Sequence, residues 1–115
     1  MRYLTTNEIK ENSVIVIDFK NGQSEPFFVN DRHVGANNQV IVLGEKISDI
    51  IKDPSRYPCQ LSQLERFYFQ DGGSGRLQDG IIGCRALEEA EKEKWVSELR
   101  QIIGLEPLVE IILRS

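Results

Sequence analysis

Histidine occurs once in this chain of 115 residues, cysteine twice, and tryptophan and methionine once each. A zinc site needs three or four imidazole or thiolate ligands at short spacings. His33, Cys59 and Cys84 each stand without a Cys or His neighbour, so no metal and no cofactor is expected. Two cysteines cannot staple a disulfide-dense scaffold. They read as reduced thiols, with Cys84 in an apolar run and buried as a small hydrophobe; a Cys59–Cys84 disulfide is the alternative in an oxidising compartment. Long apolar runs are absent too. Runs such as Val14–Ile17 and Ile111–Leu113 fall far short of the ~20 residues that span a bilayer. The N-terminal Met-Arg-Tyr-Leu-Thr-Thr-Asn-Glu lacks the apolar core of a secretory signal. The expectation is a soluble, cytoplasmic protein with no membrane association.

Basic clusters are also missing. The first 70 residues carry 8 basic and 9 acidic side chains and the remainder 6 and 9, for a net charge of -4 and a pI of about 5.0. Nucleic-acid binding relies on clustered Lys and Arg, so no nucleic-acid partner is expected. An acidic exterior suits a basic protein partner, and it also simply keeps a protein soluble.

What is present is globular composition, 40% hydrophobic and 28% charged, in an amount that suits one domain over residues 1–115. Thr5-Thr6-Asn7-Glu8 fits a capping box opening a short helical turn that ends near Asn12. Val14–Phe19 is rich in β-branched residues and reads as a strand. Lys20-Asn21-Gly22-Gln23 is a hairpin signal of the type I′ kind. Ser24–Val29 returns as a strand, assigned to an edge because Pro26 cannot donate to a ladder. Asn30–Asn38 reads as a polar loop, Gln39–Leu43 as a third strand stopped by Gly44, and Lys46–Lys52 as a short helix. A loop broken by Pro54 and Pro58 follows, running through Gln60. Leu64–Gln70 is a strand with Phe67 and Phe69 on one side and Arg66 and Tyr68 on the other. Asp71–Gly80 is a Gly-rich loop whose flanking strands, the second being Ile81–Leu87, are expected to pair. Glu88–Ile103 carries Trp95, Leu99 and Ile102 on one stripe, with Val96 and Ile103 beside it, and reads as an amphipathic helix. Gly104 and Pro107 end it. Leu108–Leu113, apolar on both alternating faces, reads as a central strand covered on both sides. The fold class is therefore α+β: a mostly antiparallel sheet of five to six strands, the helix 88–103 packed on one face, and a final central strand.

Three sets of residues carry possible chemistry. His33 beside Asp31 is the one candidate acid–base pair, and it would act only if the segment is extended, so that residues two apart share a face. The loop Gly73-Ser74-Gly75-Arg76, with Tyr68 and Arg85 near it, would offer backbone N–H groups, guanidinium donors and a ring to a small anion or a nucleotide signal; its spacing matches neither common phosphate-loop pattern. Asp71 and Asp79 flank the same loop without the further oxygens that a Ca²⁺ or Mg²⁺ site requires.

Two stretches resemble known families in their patterning. Trp95-Val-Ser-Glu-Leu-Arg followed by Leu108-Val-Glu-Ile-Ile-Leu-Arg-Ser is similar to the final helix and strand of barstar-type inhibitors. Gly83–Ile103 is similar to the strand and Trp-bearing helix that close pleckstrin-homology domains. Neither resemblance carries a functional residue over. Taken together, the sequence favours a non-enzymatic binding protein acting through a macromolecular interface, as an inhibitor, immunity or regulatory factor. Self-association is one form of this, and pairing along the exposed strand Ser24–Val29 is one route. The alternatives are binding of a small anionic ligand at residues 71–76 with Tyr68 and Arg85, and hydrolysis by His33 with Asp31.

Overall fold

The computed structural model of the chain describes residues 2–35, 39–58, 64–70 and 80–115. Five strands, β1 (Ser13–Phe19), β2 (Ser24–Val34), β3 (Gln39–Lys46), β4 (Glu65–Gln70) and β5 (Ile81–Arg85), form one antiparallel sheet in the order β4-β3-β2-β1-β5. Among the described residues three α-helices accompany it: α1 (Ile47–Lys52), α2 (Glu89–Leu99) and α3 (Glu106–Arg114). The α+β class and the antiparallel sheet stand. The arrangement of several segments differs from the sequence reading.

The sheet curls. Phe19 on β1 and Phe67 on β4 meet with ring centroids 6.2 Å apart, although two strands lie between them and three flat strand spacings would cover about 14 Å. The concave face is filled by Ile15, Ile17, Phe27, Val29, Val40, Val42, Phe67, Phe69, Ile81 and Cys84, with Ile9 and Leu4 of the N-terminal segment packed over it. On the convex face Val14, Val16 and Phe28 meet Ile47 and Ile50 of α1, Val96 and Leu99 of α2, and Leu108, Val109, Ile111 and Ile112 of α3. β1 is thus the strand buried on both sides, which explains its unbroken run Val14–Ile17.

The segment expected to play that part, Leu108–Leu113, is helix. Gly104 turns the chain at φ +95 and Pro107 stands in the first turn of α3. The buried residues then fall at 108, 109, 111 and 112, the i, i+1, i+3, i+4 spacing of a helical stripe. The preceding helix stops at Leu99 rather than Ile103, and Ile103 is almost wholly exposed. A helix in place of the closing strand also removes the basis of the barstar-type resemblance.

β2 is the middle strand, not an edge, despite Pro26. Phe19 donates to the Gln23 carbonyl at 2.9 Å, and hydrogen-bonded and open pairs alternate from there along an antiparallel ladder. Pro26, opposite Val16, therefore falls in an open pair, with its nitrogen turned toward β3. The β3 partners begin only at Phe27↔Lys46, so no ladder bond is lost. The hairpin is a three-residue loop rather than type I′. Gly22 donates to the Phe19 carbonyl at 3.0 Å, and Gly22 alone takes a positive φ (+90) there. The two strands flanking the Gly-rich loop do not pair: β4 and β5 lie at opposite ends of the strand order. The outer side of β5 is partly occupied by the N-terminal segment, where Leu4 donates to the Cys84 carbonyl at 2.8 Å.

Candidate binding face

One extra residue sets up the candidate site. The β2–β3 register jumps from Val29↔Gly44 to Asp31↔Leu43, leaving Asn30 as a bulge. Without it, Asp31 and His33 would point into the concave core, because a one-residue slip exchanges the faces of a strand. With it, Arg32 turns inward, where its guanidinium donates to the Thr6 carbonyl at 3.0 Å, and Asp31 and His33 turn out. The segment expected to be a loop from Asn30 onward is strand as far as Val34.

Gly44 makes the bulge possible. A Cβ built there would lie 1.8 Å from the Phe28 carbonyl oxygen, so only glycine lets the two backbones approach this closely. The residue assigned as the stop of β3 is instead an interior position at which the strand needs no side chain.

The register then fixes two cross-strand rows on the convex face: Asp31, Leu43 and Arg66, and beside them His33, Ile41 and Tyr68. His33 and Arg66 are exposed, and the other four are half-buried. Arg66 reaches the Tyr68 hydroxyl at 3.5 Å, the outer limit of a hydrogen bond. The Asp31 and His33 side chains form no hydrogen bond or ion pair among the described residues. The helical layer ends one row earlier. There the carboxylate of Glu45, 1% exposed, is held by Arg56 through Nη2 at 2.6 Å and Nε at 3.2 Å, and Tyr57 stacks edge-on against Phe28 at 5.8 Å.

Three of the sequence candidates, Asp31, His33 and Tyr68, therefore share this face, and Arg66 joins them. Arg85 is elsewhere, at the far edge of the sheet and buried. Its Nε donates to Asp18 at 3.0 Å, while Nη1 and Nη2 clasp Glu91 of α2 at 2.7 and 3.0 Å. Ser24 donates to the other Asp18 oxygen at 2.6 Å. The guanidinium ties β5 and β1 to α2, and the contact with Arg85 holds the Glu91 carboxyl below the usual carboxylate range. Cys84 is buried, and burial, followed by the charges of Asp18 and Glu8, pushes its thiol up to about 12, which leaves it protonated and unreactive at neutral pH. Gly73, Ser74, Gly75 and Arg76, like Cys59, Asp71 and Asp79, lie outside the described residues.

Ile41 and Leu43, at the centre of the face, were not singled out from sequence. The available signal was the run Val40-Ile41-Val42-Leu43, apolar at every position although β3 is a strand whose alternate residues face opposite ways. Hollows occur elsewhere on the molecule. One of about 660 Å³ runs between α2 and α3 past Val96, Arg100 and Leu113, and one of about 200 Å³ lies beside Tyr3 and Asp18. Among the described residues no group of His, Cys, Asp and Glu is arranged to hold a metal, and no helix is long and apolar enough to cross a membrane. Compared with descriptions of known protein families, with curated proteins and with solved structures, the chain shows no match.

Proposed function

We propose that the protein is a non-enzymatic binding protein whose working surface is the bare half of the convex face. The observation that carries this reading is the pair of rows Asp31–Leu43–Arg66 and His33–Ile41–Tyr68. Two aliphatic side chains are framed by a carboxylate, an imidazole, a guanidinium and a phenol, with no helix above them among the described residues. Tyr and Arg beside apolar groups are the composition of interface anchors. An open sheet face suits a macromolecule, whereas small ligands bind in concave sites. Catalysis by His33 is disfavoured by geometry. The imidazole has no hydrogen-bonded orienting partner among the described residues, and the backbone of Tyr68, which carries the hydroxyl in its row, is two strand spacings away, about 10 Å. An anion site combining Tyr68 with Arg85 is disfavoured because the two stand on strands at opposite ends of the sheet and Arg85 is buried and already paired with Asp18 and Glu91. Pairing of a partner strand along Ser24–Val29 is disfavoured, since β1 pairs with that whole stretch on one side and β3 pairs from Phe27 onward on the other.

Site-specific crosslinking in the source cells tests the reading. A benzophenone side chain placed at Ile41 is expected to capture a protein that the same group at Glu93 on α2 does not, and the adduct is expected to vanish when Arg66→Ala and Tyr68→Ala are combined. Absence of any adduct at position 41, or the same adduct from position 93, overturns it.

A further inference from the structure

Resting on that reading, we propose that the occupant of the bare face is a second copy of the same chain, packed through a two-fold axis that runs along β3. The order of charges across the face points to this occupant. The first row reads negative, aliphatic, positive: Asp31 on β2, Leu43 on β3, Arg66 on β4. A two-fold rotation about an axis along β3 exchanges the β2 and β4 sides and leaves the centre in place. Asp31 then faces Arg66 of the second copy and Arg66 faces its Asp31, while Leu43 meets Leu43. In the second row His33 faces Tyr68, Tyr68 faces His33, and Ile41 meets Ile41. Every side chain of the patch finds a complementary partner, and none meets a like charge. A closed dimer built on one self-complementary patch is the commonest symmetry among soluble oligomers.

The spacing agrees. Sheets packed face to face stand about 10 Å apart, a gap that an arginine reaching toward an aspartate fills. The exposure pattern agrees too. Ile41 and Leu43 are only half-buried by their own chain, and they are the two aliphatic side chains that the axis would bring together. The face curves outward, so two copies touch over few residues. Six side chains are well short of the ~20–30 residues a side of a standard interface, and the dimer is expected to be weak, dissociating over roughly tens to hundreds of micromolar.

Charge exchange tests the arrangement. Wild-type protein is expected to show a monomer–dimer equilibrium by sedimentation. Asp31→Arg alone and Arg66→Asp alone are each expected to raise Kd at least about tenfold, because each places two like-charge pairs in the interface. Both positions lie on the surface, so circular dichroism and the melting temperature should stay at wild-type values. Mixing the two variants one to one is expected to restore association. The arginine introduced at position 31 of one chain then faces the aspartate introduced at position 66 of the other, and the unaltered Arg66 of the first chain faces the unaltered Asp31 of the second. A wild-type chain that stays monomeric to about 1 mM, single variants that dimerise as well as wild type, or a mixture that fails to recover overturns the proposal. If the chain is monomeric while the crosslinker at Ile41 captures a different protein, the dimer fails and the binding reading survives. If position 41 captures nothing, both fail.

Discussion

Around Val14, Val16 and Phe28 the convex face of the sheet is roofed by three helices, whereas from Asp31 to Tyr68 it is bare among the described residues. The two halves belong to the same sheet and treat charge in opposite ways. Beneath or beside the roof, each buried charge has an opposite partner at hydrogen-bond distance: Asp18 and Glu91 on Arg85, and Glu45 on Arg56. On the bare half, Asp31 and Arg66 stand across β3 from one another with no ion pair to either among the described residues. A charge removed from water is costly unless it is paired, and a charge left in water is not. The contrast separates the charges that the fold pairs from those it leaves in water.

The strongest way to break the contrast is to remove the cation of the roofed half. Arg85→Met leaves the Asp18 carboxylate buried, with the Ser24 hydroxyl still donating to it at 2.6 Å, and cuts the tie between β5 and α2. Breaking a buried pair from one side costs about 3–5 kcal/mol, and a loss of that size is expected in urea unfolding. Adding Asp18→Asn should return part of it, because the uncompensated charge disappears. A single variant that loses less than about 1 kcal/mol, the worth of a surface pair, would mean that Arg85 resembles Arg66 after all.

The next effect is expected at the seam between the halves. Gly44→Ala drives a methyl group into the Phe28 carbonyl. The backbone of β2 or β3 must move, at a cost of about 3 kcal/mol, the upper end for overpacking. Since the bulge at Asn30 is what turns Asp31 and His33 outward, the same substitution should also weaken anything that binds the bare face. A crosslinking yield at Ile41 that is unchanged in folded Gly44→Ala would separate the bulge from the surface.

Much of the roofed half was legible in the sequence. β-branched and aromatic runs marked all five strands, and Asn21-Gly22 marked the hairpin. The capping box at Thr5 is present, with the Glu8 carboxylate accepting the Thr5 N–H at 2.9 Å, though it caps a single 3-10 turn, Thr6–Glu8. The closing segment was misread because Leu108–Leu113 and Val14–Ile17 present the same local signal, a short apolar run. Pro107 just before the run should have decided it, since proline is favoured in the first turn of a helix. The bare face was hidden for a different reason. A bulge has no composition of its own, so the polar run after Val29 read as loop, and the face of Asp31 depended on a register that only the whole sheet sets. Asp31, His33 and Tyr68 were chosen for their chemistry; their shared face came from pairing across β3.

Acid titration gives the smallest expected effect and sharpens the same contrast. Glu91 is held below its ordinary value of 4.5, first by its hydrogen bonds to Arg85. Glu8 is held down to about 2, first by Arg2 and then by the Thr5 N–H. A carboxyl whose folded value is depressed binds fewer protons folded than unfolded. Its stabilisation is therefore complete above the ordinary value, and it is lost as pH falls through the folded one. Glu65 has the opposite sign. Burial raises its value, so protonation relieves a cost and the folded state gains slightly as pH drops below the raised value. The net slope near pH 4 reports the balance. Glu91→Gln is expected to flatten the acid limb of stability measured in urea between about pH 4.5 and 2, because the Arg85 pairing no longer depends on a titrating group. Asp31→Asn, which has no cation to lose among the described residues, should leave the limb in place. If Asp31→Asn flattened it as much as Glu91→Gln, the charges of the bare half would be holding the fold together, and they would no longer be free to meet a second chain.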